Sequence, residues 1–210
     1  MTSSRRNADP ILAELRHSLV PLGFTRRGRT FNRAIPGGLV HVLDLQLGAT
    51  IAYGKFTANV AVFLPEVALA LAGIDHPPAF VREPDCEIRA RLGKLLPQPI
   101  DRWWSLDPPS IKLVAAELRD AVLDHGIPFL NGLSDRQEII ERWQAGLLDR
   151  FTPPRRNVSL AAILHRVGNT ASANLILHQE SVGPNQNIGR LARIAASRLG
   201  LTVPPRQKDA

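Results

Sequence analysis

The sequence predicts an α+β fold: an N-terminal helix, a four-stranded, mostly antiparallel sheet covered on one side by helices, and a helical C-terminal half. Three observations lead there. Runs with period-2 alternation of apolar and polar residues recur between residues 24 and 92, and apolar residues recur at helical spacing before and after that stretch. Short Gly-containing turns separate the first alternating runs, as in a meander of hairpins. The run Asp85-Cys86-Glu87-Ile88-Arg89-Ala90-Arg91-Leu92-Gly93 puts Cys86, Ile88, Ala90 and Leu92 on one face and Glu87, Arg89 and Arg91 on the other. One-sided strands of this kind call for helices on a single side.

Taken in order, Asp9-Pro10 opens the first helix, with Asp9 as N-cap and Pro10 at a favoured first position. Ile11, Leu12, Leu15, Leu19 and Leu22 form its stripe, and Pro21 and Gly23 close it. Residues 24–35 read as the first strand and Pro36-Gly37-Gly38 as a turn. Residues 39–47 alternate most clearly, with Leu39, His41, Leu43, Leu45 and Leu47 opposite Val40, Val42, Asp44 and Gln46. The chain turns again around 52–54, and residues 55–64 form a third strand. Residues 65–72 suit a short helix, residues 75–84 carry three prolines and suit a loop, and the charged strand at 85–93 follows.

Beyond the Trp103-Trp104 pair, Ser110 caps a helix whose stripe runs from Ile111 to Val122 and stops at Gly126. Ser134-Asp135-Arg136-Gln137 reads as a capping box. Thr152-Pro153-Pro154-Arg155-Arg156 is the best internal boundary. It divides a domain over 8–150 from a basic helical extension over 151–203 packed on it, with helices near 159–167, 171–180 and 187–199 and a disordered tail at 204–210.

Composition excludes some classes. No apolar run approaches the roughly 20 residues of a membrane span. A single cysteine rules out an internal disulfide framework and fits a reducing compartment. The start of the chain is polar and basic without a signal-peptide core, so the expectation is cytoplasmic. The net charge of +7 is unevenly spread: residues 1–60 carry 8 basic and 3 acidic side chains, residues 61–149 carry 9 and 14, and residues 150–210 carry 9 and 2. Such segregation marks either an anionic partner's surface or basic ends folded against an acidic middle.

Four segments, Gly23-Phe24-Thr25-Arg26-Arg27-Gly28-Arg29-Thr30-Phe31, Lys55-Phe56-Thr57-Ala58-Asn59-Val60, Cys86 to Gly93, and Asp101-Arg102-Trp103-Trp104, together resemble a bacterial family known as domain of unknown function 4304 over roughly residues 8–145. The resemblance implies an α+β fold. It implies no activity and carries over no catalytic residue.

Two constellations can carry a function. Asp44, Gln46, Thr57, Asn59, Arg89 and Arg91 fall on one face of three adjacent strands, with Arg29 able to join them and Trp103 and Trp104 able to wall the site. Arginine forks beside Asp, Asn and Gln suit a carboxylate or phosphate. The same pattern also describes the wet face of a sheet laced with cross-strand ion pairs. In the tail, Arg155, Arg156, Arg166, Arg190 and Arg193 can contact phosphates, with Arg190 and Arg193 opposite the apolar Ile188, Leu191, Ile194 and Ala195, or can form a solvated helix face. None of the six histidines has metal-ligand spacing, and His41 reads as a core residue. Cys86 alternates onto the apolar face as a buried thiol, and no nucleophile elbow, phosphate loop or dinucleotide fingerprint is present. The leading expectation is a non-enzymatic binding module whose partner is another protein, with no cofactor, no metal and no membrane. The alternatives are an enzyme or small-molecule sensor on the polar sheet face, and nucleic-acid binding through the basic tail.

Overall fold

The computed structural model describes residues 8–148 and 155–203. Of the boundary expected at Thr152-Pro153-Pro154-Arg155-Arg156, the first three residues lie outside those residues, as does the disordered tail expected at 204–210. In chain order the helices are α1 (Asp9–Leu19), α2 (Pro65–Ala72), α3 (Ile111–Ala121), α4 (Ile127–Asn131), α5 (Arg136–Gln144), α6 (Arg156–Arg166), α7 (Thr170–Val182) and α8 (Gln186–Arg198). The strands are β1 (Thr25–Arg27), β2 (Thr30–Ala34), β3 (Val40–Leu47), β4 (Lys55–Phe63), β5 (Ile88–Arg91) and β6 (Trp104–Ser105). The chain divides into two compact units, one of Met1–Val62 with Phe80–Leu133 and one of Phe63–Ala79 with Ser134–Ala210.

The first unit holds the sheet, in the order β1-β2-β3-β4-β5, with β6 also paired to β4. The architecture is the expected one, with six strands where the alternation suggested four. Residues 24–35 fold into two strands because Gly28, at φ 64, opens a two-residue turn that brings Arg27 opposite Thr30. Strand β6 adds a short pairing, Trp104 opposite Phe56 and Ser105 opposite Lys55. Among the described residues of this unit the α-helices lie on one face of the sheet, with Gly126 against Val60 and Leu92. Helix α1 begins at Asp9 with Ala8 as its N-cap, so Asp9 is the first helical residue and not the expected cap. It buries Ile11, Leu12, Leu15 and Leu19 and packs against α3.

Helix α3 does not stop at Gly126. It runs through a π turn, Val122–Gly126, into α4. Gly126 serves close approach, because a Cβ there would stand 3.2 Å from a Leu92 methyl and 3.4 Å from a Val60 methyl. His41 is fully buried on the helical face of β3, where its Nδ1 accepts from Arg33 Nη2 at 2.8 Å and its Nε2 lies 3.3 Å from the Leu133 carbonyl oxygen.

The other face of the sheet is covered by irregular chain. The Asn32 side-chain amide donates to the Val81 carbonyl (3.0 Å) and accepts from the Val81 N–H (2.7 Å), which pins residues near 81 across β2. Thr57 Oγ1 donates to the Arg102 carbonyl at 3.0 Å. The wet sheet face that the alternation suggested is therefore buried at Asn32, Val42, Thr57 and Asn59.

The second unit is helical. Asp135, one residue beyond the expected Ser134, caps α5 by accepting from the N–H groups of Gln137 (2.7 Å) and Glu138 (3.3 Å). Arg136, in the first turn of α5, forms a bidentate pair with Glu66 of α2 at 2.8 Å on both arms. Helices α6, α7 and α8 pack in sequence, and α2 lies against α6 and α8. Helix α8 buries Gly189, Ala192, Ala195 and Ala196, a ridge of small residues; of the expected Ile188/Leu191/Ile194/Ala195 stripe, Ala195 alone is buried. The reason is proximity: a Cβ at Gly189 would come within 3.0 Å of the Ser181 carbonyl oxygen. No helix among the described residues is long and apolar enough to cross a membrane.

Candidate functional site

Strand alternation and register bring most of the polar cluster onto the loop-covered face of the first unit. Asn59 stands opposite Arg91 across the β4–β5 pair, and Ala61 stands opposite Arg89. Asn59 donates to Gln46 Oε1 at 3.2 Å, and Asp44 accepts from Thr30 Oγ1 at 2.6 Å. Arg29, in the β1–β2 turn, donates to the Leu45 carbonyl at 3.0 Å. The two predicted clamps each meet a carboxylate. Arg91 Nη1 lies 2.6 Å from Asp101 Oδ1, and Arg89 Nη1 lies 3.8 Å from Glu83 Oε1.

Glu83 sits among Asp44, Arg89 and Arg91. Burial raises its carboxyl above the usual range, Asp44 adds to that rise, and the two arginines oppose it. The hydrogen bond from Arg91 holds the Asp101 carboxyl below its usual range. The cluster is thus a network of charges met mainly by their neighbours. The double substitution Arg89→Ala, Arg91→Ala is expected to leave the fold intact and to lower stability by no more than about 2 kcal/mol, since half-exposed pairs are worth about 0–1 kcal/mol each. A thermal melt checks this, and a variant that fails to fold would make both arginines structural.

Trp103 and Trp104 separate. Consecutive residues of an extended segment point to opposite sides. Trp103 lies beneath the Arg91 guanidinium, 5.2 Å from its ring centre. Trp104 is 3% exposed and stacks on Phe56 with centroids 5.8 Å apart, a directly opposed cross-strand pair. Its indole N–H donates to Glu117 of α3 at 3.1 Å, and Arg102 pairs with the same carboxylate. Only Trp103 remains at the polar face. Cys86 is buried, and burial pushes its thiol well above the ordinary value, as an inert core thiol requires. Among the described residues no group of three or more His, Cys, Asp or Glu side chains converges in a way that holds a metal ion.

The basic tail residues fall into two kinds. Arg155, Arg166 and Arg190 are exposed and Arg156 is half-buried. Arg193 points its guanidinium at the Ser181 carbonyl, 2.8 Å away, at the end of α7.

Sequence reasoning missed the loop between β3 and β4, residues 48–54, which it marked only as a turn. Ile51 at its apex is 98% exposed and Tyr53 is 66% exposed. The loop is closed on itself: Ala52 N–H donates to Ala49 O at 3.0 Å, and Tyr53 N–H donates to Thr50 O at 3.1 Å. Thr50 holds φ 52, the left-handed region that a β-branched residue rarely enters. Gly48 leaves room for the Ala52 carbonyl oxygen, which would stand 2.0 Å from a Cβ at that position. The available signal was an isoleucine and a tyrosine in a glycine-bracketed turn, where polar residues normally dominate.

No curated protein and no solved structure matches this chain. The model of a protein family matches residues 15–132 of the 210, a segment that ends next to the last residue of the sheet-bearing unit. The four segments that suggested a family thus lie within one continuous match, and the chain belongs to the family described as domain of unknown function DUF4304.

Proposed function

We propose that this chain is a cytoplasmic bacterial protein that works by binding another protein, without catalysis, and that the β3–β4 loop is its anchor. The observation that carries the reading is Ile51: an aliphatic side chain 98% exposed at the apex of a loop held by its own backbone hydrogen bonds. Scattered exposed apolar residues are ordinary. A strained, glycine-dependent loop that presents one, with Tyr53 beside it, is a pre-organised anchor of the kind that fills a partner's pocket. The alternative of an anion-binding enzyme or sensor has less support, because Arg89 and Arg91 are already paired and Asn59 is tied to Gln46. Nucleic-acid binding through the tail loses Arg193 to the Ser181 carbonyl.

The test compares wild type with Ile51→Asp as baits in lysate of the source cells, with nuclease present. Burying an isoleucine is worth about 1.5–3 kcal/mol, so the variant should melt as wild type does and lose its stoichiometric protein partner by roughly tenfold or more. A partner retained equally by both baits would remove the loop from the interface. Recovery of nucleic acid alone would refute the protein-binding reading.

A further inference from the structure

We propose that the groove between α1 and the edge strand β1 docks an acidic, extended peptide segment of another protein, a second surface distinct from the β3–β4 loop. The groove encloses about 640 Å³. Arg16 of α1 and Arg26 of β1 supply its charge, His17 lines it beside Arg16, and Ala13, Val20 and Pro21 supply its apolar lining. Among the described residues Asp9 is the one acidic side chain lining it.

The charge there is unspent. Elsewhere in this unit arginines are met within the chain, as at Arg82, Arg91, Arg102 and Arg119. Among the described residues the guanidinium groups of Arg16, Arg26 and Arg27 have no hydrogen-bond or ion-pair partner. All three lie at this end of the sheet. Glu14, the nearest carboxylate along α1, is directed away to Arg119 at 2.7 Å.

The backbone favours an extended ligand. Strand β1 is the first of the sheet, among the described residues it pairs only with β2, and its three residues are exposed. Arg27 and Thr30 flank the two-residue turn and close the ladder. Hydrogen-bonded and non-bonded pairs alternate from there, so the next residue, Arg26, turns its N–H and C=O away from β2 toward open solvent. Arg26 stands opposite the buried Phe31 and so lies on the helical face, while Arg27 lies on the other. A peptide laid along this edge meets main-chain partners at Arg26 and finds cations for acidic side chains on both of its faces, which is the strand-addition mode of recognition. A nucleic acid fits less well, since no Phe, Tyr or Trp among the described residues lines the groove for base stacking.

The test is selection of random twelve-residue peptides against the immobilised full chain, followed by affinity measurement on wild type, Arg16→Glu/Arg26→Glu and Ile51→Asp. Enriched peptides should be acidic. The charge-reversed variant, whose substitutions are at exposed side chains, should melt as wild type does and bind them about tenfold or more weakly. Ile51→Asp should bind them as wild type does. Enrichment without acidic residues, equal binding by the charge-reversed protein, or loss of binding in Ile51→Asp would each overturn the assignment. So would a single-stranded oligonucleotide that binds wild type as tightly as the selected peptides and is lost in the charge-reversed variant.

Discussion

Arg136→Met is expected to destabilise the protein by about 3–5 kcal/mol, the cost of leaving a buried charge without its partner. The side chains of Glu66 and Arg136 are only 5% and 12% exposed, and their two hydrogen bonds are both 2.8 Å. Glu66 lies in the first turn of α2, where the helix terminus favours an anion. That partial charge is far too small to replace a guanidinium. The double substitution Glu66→Leu, Arg136→Met should recover most of the loss, because two apolar side chains of similar volume remove both desolvation costs together. Arg142→Ala is the control. Its pair with Glu138 is a half-exposed (i, i+4) contact worth about 0.3–0.5 kcal/mol. Denaturant titration at constant m-value measures all three. A single variant as stable as the control would show that water or a neighbouring donor satisfies Glu66.

The second large effect is on the acid side. His41 is buried, and its pKa is lowered to about 4 from 6.5. Burial is the main cause. The hydrogen bond to the Leu133 carbonyl opposes the shift and the charge of Arg33 adds to it. The geometry agrees with a neutral ring: Nδ1 accepts from Arg33, which leaves Nε2 to donate to Leu133. Between pH 6.5 and 4 the unfolded chain binds a proton at this residue and the folded chain does not. Stability therefore falls as pH is lowered through that window and is fully present above it. At 1.36 kcal/mol per pH unit the loss approaches about 3 kcal/mol. His41→Gln keeps a hydrogen-bond acceptor for Arg33 and removes the titration. The difference between its stability–pH profile and that of wild type isolates the histidine from the carboxylates, of which Glu83 is raised and Asp101 lowered. Parallel profiles between pH 4 and 6.5 would show that His41 is protonated in the fold.

Local order was legible. The alternation of residues 39–47 became β3 with its faces as expected, because strand period and side-chain direction are properties of the backbone alone. The helices of the C-terminal half formed close to where apolar spacing placed them. Two errors of boundary share one cause. Gly28 and Gly126 are both glycines in periodic segments, yet one opens a turn and the other admits a close contact with Val60 and Leu92. Only the neighbour decides which. The same holds for α8, where a ridge of Gly189, Ala192 and Ala196 buries deeper than the larger Ile194 because Ser181 stands against it.

The candidate site was legible as a set of residues and not as a state. By itself the sequence determined that Asp44, Asn59, Arg89 and Arg91 share a sheet face, that His41 and Cys86 point to a core, and that the chain carries the family's segments. Tertiary structure decided that the face lies under loops, that Arg91 is paired to Asp101, that Trp104 is core while Trp103 is not, and that Ile51 stands free in solvent. The physical reason is range: alternation and helical spacing are fixed within a few residues, whereas the partner of a charge or the cover over a face comes from chain folded back over long separations, as Asn32 to Val81 and Glu14 to Arg119 show.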